Sequence, residues 1–251
     1  MNQLVTILVP HYKTFALSKL CLRLLRKHTS SDLAHVIVID NGSQDESTEY
    51  LRSLEWIELI ERKRAQDESN ALSHSRALDL ALNRVTTPYV LSIHTDTLVT
   101  RDDWLPFLLE PMQRNSNLAG IGSWKLEDKP WHEKFAKSIG TFFQPVDTSQ
   151  YLRSHCALYR IAVIKELGVN FSLKNEVAGK AMHEKMIEAG YEMEFLPATT
   201  LLNYMEHLNH ATIVLNPELG GRAQTIKKGT KRINQRLAVA NAVLADDSLD
   251  K

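Results

Sequence analysis

Four short apolar runs separated by helical patterns constrain the fold of this chain more than any other feature of its sequence. The runs occupy residues 5–10, 35–40, 56–61 and 89–94. Two of them contain the nearly continuous apolar stretches VIVI and YVLSI, which are typical of strands buried on both faces of a sheet. The segments between the runs carry helical periodicity. This alternation predicts an α/β fold built on a parallel sheet with right-handed crossovers.

The later part of the chain continues this pattern less regularly. Residues 119–124, 156–160 and 192–197 are three further apolar runs that we interpret as strands. A helical pattern spans residues 174–190, and the segment from Gly220 to Lys251 is predicted to form one helix. We therefore expect an α/β domain over residues 1–219 and a C-terminal helical extension over residues 220–251.

An irregular region, residues 125–153, carries polar and aromatic side chains with little periodicity. A segment of this kind is often a functional loop. The aromatic residues in or beside it suit either a sugar-binding loop or the filling of a core, and both interpretations stay open. These residues are Trp124, Trp131, His132, Phe142 and Phe143.

The charge balance and the cysteine content exclude several classes of protein. Thirty basic residues balance thirty acidic ones, so no overall field favours nucleic acid, and we expect no nucleic-acid partner. Cys21 and Cys156 do not make a disulfide framework, which favours a reducing compartment.

The N-terminal residues lack a basic region before their short apolar run, and no run approaches the roughly 20 residues of a membrane span. These features predict a cytoplasmic location.

The residues that end the predicted strands mark the expected site, because ligands of open parallel sheets bind beyond the carboxyl ends of the strands. These ends are Pro10–His11–Tyr12, Asp40–Asn41–Gly42 and His94–Thr95–Asp96. The glycine pattern of dinucleotide-binding proteins and the Walker-type phosphate loop are both absent from the sequence. A nucleotide at this edge would therefore be held in another way.

Four motifs stand in a recognisable order: VTILVPHYK, VIVIDNGSQDES, PYVLSIHTDTLVTRDDWL and HCALYRIAVIKELGVNF. Together they resemble the family 2 glycosyltransferases, which are nucleotide-sugar-dependent enzymes with the Rossmann-like GT-A fold. The resemblance covers roughly residues 4–200. It implies a central, mostly parallel sheet flanked by helices, and a nucleoside-diphosphate sugar (UDP-, GDP- or dTDP-linked) as donor.

The resemblance also implies roles for residues that bind the nucleotide. Pro10, His11 and Tyr12 match the loop that lies against the base, and Asp40, followed by Asn41, matches the acid that accepts a hydrogen bond from the base. The alternative for Asp40 and Asn41 is a turn that caps the next helix. Arg76 is a candidate for a diphosphate contact, although an ordinary exposed position on a helix is an equal alternative.

The family motif D-x-D corresponds to His94-Thr95-Asp96, so the resemblance implies that Asp96 binds Mg²⁺ or Mn²⁺ on the diphosphate. The first acid, expected to face the ribose, is replaced by His94. That imidazole could bind a ribose hydroxyl, join the metal shell or be structural. His207 and His210, which would share a face of a helix, are the candidates for further metal ligands.

The catalytic base is the position at which the sequence departs most from the family. An inverting transfer needs a carboxylate that takes the proton of the acceptor hydroxyl. The expected Glu-Asp pair is missing, and Glu176 and Glu184 are the nearest candidates, with His183 between them. The alternative is that all three are solvated helix residues.

Residues 222–244 combine six basic side chains with four later apolar ones. Such a helix could lie on an anionic membrane surface, which would suit a lipid-linked acceptor and a peripheral location at the inner face of the membrane. A homodimer contact and a solvated helix are the alternatives.

Three functions follow from these patterns. The leading hypothesis is an inverting, metal-dependent glycosyltransferase that acts on a glycan or glycolipid acceptor in polysaccharide biosynthesis. A degenerate, non-catalytic GT-A domain is the second hypothesis, because His94 and the missing Glu-Asp pair depart from the family pattern. A sugar nucleotidyltransferase is the third, and the lack of glycine in the loop after the first strand disfavours it.

Overall fold

A seven-stranded, mostly parallel sheet forms the centre of the computed structural model, which describes residues 3–65, 67–126 and 150–251. Within these residues the strands are β1 (Val5–His11), β2 (Ala34–Asp40), β3 (Glu58–Glu61), β4 (Tyr89–Ile93), β5 (Thr97–Val99), β6 (Leu118–Gly122), β7 (Cys156–Arg160), β8 (Glu192–Phe195) and β9 (Met205–His207). The seven predicted apolar runs all form strands of the central sheet, which confirms the expected α/β architecture.

The strand order in the central sheet is β3-β2-β1-β4-β7-β6-β8. The first four strands are parallel to one another, and β6 is parallel to β8. Strand β7 runs antiparallel to both of its neighbours, β4 and β6. The start of β7 therefore lies at the same edge of the sheet as the carboxyl ends of β1, β2 and β4. Strands β5 and β9, which the sequence patterns did not predict, form a separate antiparallel ribbon.

The central strands are buried on both faces, as their nearly continuous apolar sequences predicted. Successive residues of β1 alternate between two apolar clusters: Ile7 and Val9 belong to one, and Leu8 belongs to the other. The first cluster packs against α1 (Phe15–His28), whose leucines at positions 17, 20, 24 and 25 are buried. The second packs against α3 (Asn70–Leu82). The sheet is therefore a layer between helices, and ligands can reach it at the ends of its strands.

The remaining helices cover the sheet and its carboxyl-end edge. They are α2 (Glu46–Ser53), α4 (Trp104–Arg114), α5 (Ile161–Leu167), α6 (Lys180–Glu188), α7 (Ala198–Leu201), α8 (Ala211–Leu215), α9 (Ala223–Val239) and α10 (Asn241–Leu244), with 3₁₀ turns at Leu173–Asn175, Pro217–Leu219 and Asp247–Asp250. Local capping explains two helix starts: the Asp45 carboxylate accepts the N–H of Ser47, and the Ser69 hydroxyl accepts the N–H of Leu72.

Three predicted helical segments differ from the structure. The segment 174–190 is helical only from Lys180, because Lys174 and Asn175 adopt left-handed backbone angles (φ 60° and 53°) and interrupt it. The C-terminal segment is two helices and a 3₁₀ turn, since α9 ends before Ala240. His207 and His210 do not share a helix, because His207 ends β9 and His210 precedes α8.

A buried arginine joins the C-terminal residues to α1. The Arg23 side chain is fully buried, and its Nε and Nη2 donate to the Asp250 carboxylate at 2.9 and 2.5 Å. Nη2 also donates to Asp247 at 2.7 Å, and Nη1 donates to the carbonyls of Val243 and Leu244. The Tyr50 hydroxyl donates to Asp250 at 2.8 Å. We call Arg23, Tyr50, Asp247 and Asp250 the C-terminal clamp.

The arginines of the basic helix α9 bond other parts of the protein, whereas its lysines are exposed. Arg232 donates to the carbonyls of Leu208 and Asn209, and Arg236 donates to Glu206 at 2.6 Å. The lysines of the helix are exposed, at positions 227, 228 and 231. Of the four apolar residues predicted for a membrane-facing surface, only Val239 is exposed; the other three, Leu237, Val243 and Leu244, pack against the core. In the described parts of the chain, no helix combines the length and apolar character needed to span a bilayer.

Candidate functional site

A cavity of about 380 Å³ opens at the carboxyl ends of β1, β2 and β4. The predicted strand-end residues Pro10, His11 and Tyr12, then Asn41, and then His94, Thr95 and Asp96 all line it. The topology brings them together because parallel strands present their carboxyl ends at one edge. The start of β7 adds Ser154 and His155 to the same wall.

The β5–β9 ribbon places His207 beside the end of β4. Its register pairs Thr97 with His207, one residue after Asp96. The N–H of Leu208 donates to the Asp96 carbonyl at 2.9 Å, and the N–H of Ala211 donates to Asp96 Oδ2 at 3.1 Å. These bonds hold the Asp96 carboxylate with Oδ2 occupied and Oδ1 turned toward the histidines.

His94, Asp96 and His207 form a compact group that we call the metal corner. Asp96 Oδ1 lies 3.3 Å from His207 Nε2 and 3.8 Å from His94 Nδ1, and the three ligand atoms are all within 4.8 Å of one another. The Asp96 and His207 side chains are 7% and 8% exposed. Among the residues that the structure describes, neither Asp96 Oδ1 nor His207 Nε2 has a hydrogen-bond partner, although both are buried. Buried polar atoms without partners are rare, and two that face each other indicate a missing ligand.

Each histidine of the metal corner has its far nitrogen engaged elsewhere. The His207 Nδ1–H donates to the Leu126 carbonyl at 3.4 Å, so Nε2 is the ring nitrogen that faces Asp96. His94 Nε2 lies 3.0 Å from the Ser154 hydroxyl. Such outer partners are typical of metal-binding histidines, because they fix the orientation of the ring.

The donor set fits a divalent metal ion. Imidazole nitrogen and carboxylate oxygen are both accepted by Mn²⁺. Two ligand atoms that are 3.3 Å or 3.8 Å apart can each lie about 2.1 Å from a common ion, so Asp96 can share an ion with either histidine. The predicted ligands Asp96 and His207 belong to the corner. His94, which the sequence left between several roles, is the third member, while His210 lines the cavity outside this group.

The protonation states at the corner suit metal binding at neutral pH. Burial raises the pKa of Asp96, but the neighbouring His207 and His94 and the N–H of Ala211 outweigh it and hold the pKa well below its usual range. Burial lowers the pKa of His94 to about 4, and the nearby Asp96 offsets this only in part. The carboxylate is therefore ionised and His94 is neutral, as ligands must be.

Two further histidines surround the corner, and sequence reasoning missed both. The His155 ring stacks on His207 at 4.8 Å between centroids, and its Nε2 bonds the Ser123 hydroxyl. His74 on α3 lies 3.0 Å from the same Ser154 hydroxyl that contacts His94. His155 directly precedes β7, and it reaches the site because β7 runs antiparallel to β4. The sequence would have indicated His155 only if the direction of that strand had been predicted.

Two of the predicted base-binding residues, Asp40 and His11, have their side-chain polar atoms engaged within the protein. Asp40 accepts the N–H of Ser43 on one carboxylate oxygen and the Thr48 hydroxyl on the other, and it does not line the cavity. This geometry corresponds to the alternative interpretation as a turn and cap. His11 lines the cavity, but both of its ring nitrogens bond serine hydroxyls, those of Ser18 and Ser47. Burial lowers the pKa of His11, so the ring is neutral at pH 7.

The structure places Arg76 away from the cavity. Its Nη1 bonds the buried Glu68 carboxylate at 2.8 Å, and its side chain is about half exposed. Three other cations line the cavity, namely Arg64, Lys125 and Arg153. The Arg153 guanidinium lies 4.3 Å over the Trp124 ring, and its Nε is buried without a partner among the residues that the structure describes. Arg153 is therefore better placed than Arg76 to bind a diphosphate.

The candidate bases flank a lysine at the cavity margin. Lys180 Nζ lies 3.1 Å from Glu176 and 3.7 Å from Glu184, and neither carboxylate lines the cavity. Val177 and Ala178, directly after Glu176, do line it. Asp96 is the only carboxylate among the described lining residues. Trp131, His132, Phe142 and Phe143 lie outside the described residues.

Comparison with known proteins agrees with this geometry. A sequence model of glycosyl transferase family 2 matches residues 6–168, which is more than half of the chain. Comparison with curated proteins gave no match.

Solved structures share the fold. One is the mannosyltransferase PcManGT from Pyrobaculum calidifontis in complex with GDP-Man and Mn²⁺, with a TM-score of 0.62 and 17% identity over 99% of this chain and 76% of that protein. A second is residues 1–349 of TarS from S. aureus, with a TM-score of 0.56 and 12% identity over 86% of this chain and 64% of that one. The complex of the same TarS fragment with UDP matches with a TM-score of 0.53 and 14% identity, over 77% of this chain and 58% of that one. At these identities the likeness shows the fold alone.

Proposed function

The chain belongs to glycosyl transferase family 2, and on that premise we propose that it transfers a sugar from a nucleoside-diphosphate sugar to a hydroxyl of a glycan or lipid-linked acceptor. The observation that carries the proposal is the metal corner at the carboxyl-end edge of the sheet, inside a cavity that cations also line. A diphosphate group suits such a cavity, because its negative charge can be balanced by a metal ion and by cationic side chains together.

We propose that the nucleotide lies along the strand ends and the diphosphate points to the metal corner. Tyr12 and Asn41 line the part of the cavity at the ends of β1 and β2. Arg153 would contact the phosphates, since guanidinium binds phosphate in a bidentate manner. The structural neighbours support this placement, because PcManGT binds GDP-Man with Mn²⁺ and TarS binds UDP.

The residues of the metal corner fit Mg²⁺ or Mn²⁺ as the cofactor. When bound, such an ion neutralises the negative charge that develops on the departing nucleoside diphosphate. Asp96, His207 and His94 would hold it. Arg153 and Lys125 would add positive charge near the leaving group, where it stabilises the transition state.

For an inverting transfer we propose Glu176 as the base that takes the proton of the acceptor hydroxyl. The support is positional: Val177 and Ala178 line the cavity next to it, and the Ser75 hydroxyl donates to the Glu176 carbonyl at 3.4 Å. The carboxylate would have to turn from Lys180 toward the cavity. Glu184, which lies one helical turn beyond Lys180, is the second candidate.

A non-catalytic binding domain is the competing function, and one observation favours it. Within the described lining of the cavity, Asp96 is the only carboxylate, and it belongs to the metal corner. A protein of this kind would bind the nucleotide sugar and the metal without turnover.

The acceptor side of the proposal includes contact with an anionic surface. Lys227, Lys228 and Lys231 are exposed on α9, and exposed lysines each add attraction to anionic lipids. We propose a peripheral location at the inner face of the membrane through these lysines, with a second copy of the chain as the alternative occupant of this face.

A thermal-shift panel tests donor binding. Nucleoside diphosphates and nucleotide sugars are added with and without Mn²⁺, and a bound donor raises the melting temperature by mass action. We expect the shift to need metal and to disappear in Asp96→Ala. A product assay with radiolabelled donor then separates transfer from binding alone. A panel without any metal-dependent shift contradicts both functions, whereas binding without transfer across a broad acceptor panel supports the non-catalytic domain.

A further inference from the structure

We infer that the metal corner is a site of two imidazoles and one carboxylate that binds Mn²⁺ in preference to Mg²⁺ and Co²⁺ more tightly than either, with His94 as the selective ligand and Ser154 as its positioning residue. The inference rests on the metal-binding role proposed above and adds to it the chemical class of the ion.

The first support is that two buried polar atoms face each other in the metal corner. Asp96 Oδ1 and His207 Nε2 lie 3.3 Å apart, and neither has a hydrogen-bond partner among the residues that the structure describes. Because His207 Nδ1–H donates to the Leu126 carbonyl, Nε2 is the ring nitrogen that faces the carboxylate oxygen. A cation bound between the two atoms would satisfy both of them.

The second support is the hydrogen-bond chain behind His94. Its Nε2 and the His74 Nε2 both lie 3.0 Å from the Ser154 hydroxyl, which has a single proton to donate. If His94 Nε2–H donates to Ser154 and Ser154 donates to His74, all three groups are satisfied and His94 Nδ1 keeps its lone pair. That nitrogen lies 3.8 Å from Asp96 Oδ1, on the side of the metal corner. In that arrangement the hydrogen bonds through Ser154 leave His94 Nδ1 able to bind a metal ion.

The third support is the chemistry of the donor set. Mg²⁺ takes oxygen ligands and keeps several waters, whereas imidazole suits later transition metals, whose affinity rises from Mn²⁺ to Co²⁺. Within the described part of the cavity no second carboxylate stands beside Asp96. Replacing an acid with His94 thus exchanges an oxygen ligand for a nitrogen one and lowers the negative charge of the site. Both changes penalise Mg²⁺ more than Co²⁺.

The test is titration of the metal-free full chain with Mg²⁺, Mn²⁺ and Co²⁺, each alone, by isothermal calorimetry. We expect Co²⁺ to bind at least about tenfold more tightly than Mg²⁺, with Mn²⁺ between them. The visible absorption of bound Co²⁺ provides a second readout, because its bands report nitrogen ligation independently of any enzymatic activity.

Four variants distinguish the ligand His94 from its positioning residue Ser154 and from a residue outside the metal corner. His94→Asp restores the oxygen ligand, and we expect the Co²⁺-to-Mg²⁺ affinity ratio to fall by about tenfold or more. Ser154→Ala should weaken Co²⁺ binding by about tenfold and shift its spectrum, while Ser154→Thr, which keeps the hydroxyl, restores both. The matched control is His210→Asn at an exposed residue of the same cavity, chosen because Asn tolerates the left-handed backbone there (φ 60°). Its metal affinities should match those of the unchanged chain.

The outcomes distinguish this inference from the proposed function. Equal affinities for Mg²⁺ and Co²⁺ that His94→Asp leaves unchanged overturn the inference, while the metal site itself stands. Loss of Co²⁺ binding in His210→Asn but not in His94→Asp also overturns it. Failure of all three ions to bind overturns both the inference and the proposed metal dependence. Should His94→Asp fail to fold by circular dichroism, the Ser154 pair and the Co²⁺ spectrum of the unchanged chain still decide the matter.

Discussion

The metal corner and the C-terminal clamp are both buried polar clusters, and they differ in how their polar atoms are satisfied. In the clamp, Arg23 is fully buried, yet each nitrogen of its guanidinium donates to a carboxylate or a carbonyl. In the corner, Asp96 Oδ1 and His207 Nε2 are almost as deeply buried, and the described part of the chain supplies no hydrogen-bond partner for either. Buried polar groups are normally paired within the protein. The clamp is therefore a structural cluster, and the metal corner is a candidate ligand site.

The largest effect should come from breaking the clamp. In Arg23→Ala we expect the free energy of unfolding to fall by about 3 kcal/mol, because a buried charge network loses its central member. Chemical denaturation measures the change. Arg23→Lys is the control: it keeps the charge but loses the planar fork, so it should recover only part of the stability. Metal affinity should stay the same in both variants, and a matching loss of metal binding would contradict the separation of the two regions.

The corresponding change in the corner should affect ligand binding and leave the fold intact. Asp96→Asn keeps an acceptor for the Ala211 N–H but removes the charge that holds the ion. We expect metal affinity to fall at least about 100-fold, or about 2.7 kcal/mol, while the free energy of unfolding of the metal-free chain changes by less than about 1 kcal/mol. Calorimetry and denaturation of the same sample test this. A stability loss as large as that of Arg23→Ala would show that the corner is structural.

A smaller effect should separate the two arginines that compete for the diphosphate. Arg153 lines the cavity, whereas Arg76 pairs with Glu68 outside it. We expect Arg153→Ala to weaken the binding of a nucleoside diphosphate about tenfold, or about 1.4 kcal/mol, through loss of a charged contact. Arg76→Ala is the matched control and should leave that affinity unchanged. The reverse result in a binding titration would assign the diphosphate contact to Arg76, the candidate from the sequence.

The smallest effect concerns pH and the clamp. Burial raises the pKa of Asp250, but hydrogen bonds from Arg23 and Tyr50 outweigh it, so the folded pKa lies below the unfolded value of about 3.9. Asp250 therefore stabilises the fold above the unfolded pKa, and its contribution is lost as the pH falls through the folded pKa. We expect Asp250→Asn to cost about 1 kcal/mol at pH 7 and progressively less below pH 4. A difference between the two proteins that persists unchanged at low pH would contradict this linkage.

Sequence patterns predicted the regular parts of the fold well, because these depend on residues that are close in the chain. The apolar runs of β1, β2 and β4 identified strands buried on both faces, and their ends identified the edge that carries the cavity. Patterns failed where long-range pairing decides the outcome. Strands β5 and β9 are short and lie about 100 residues apart in the sequence, so no local periodicity predicts that they pair.

The same distinction divides the candidate site. Asp96 follows from its place at the end of a central parallel strand, and the sequence alone determined that a carboxylate stands there beside a histidine. Only the tertiary structure decided that His207 rather than His210 joins it, since the register of the ribbon sets which side chain lies opposite Thr97. The reversed direction of β7, which no one-dimensional pattern encodes, brought Ser154 and His155 to the same edge. Sequence therefore determined where a site could form, and strand pairing between distant segments decided which side chains complete it.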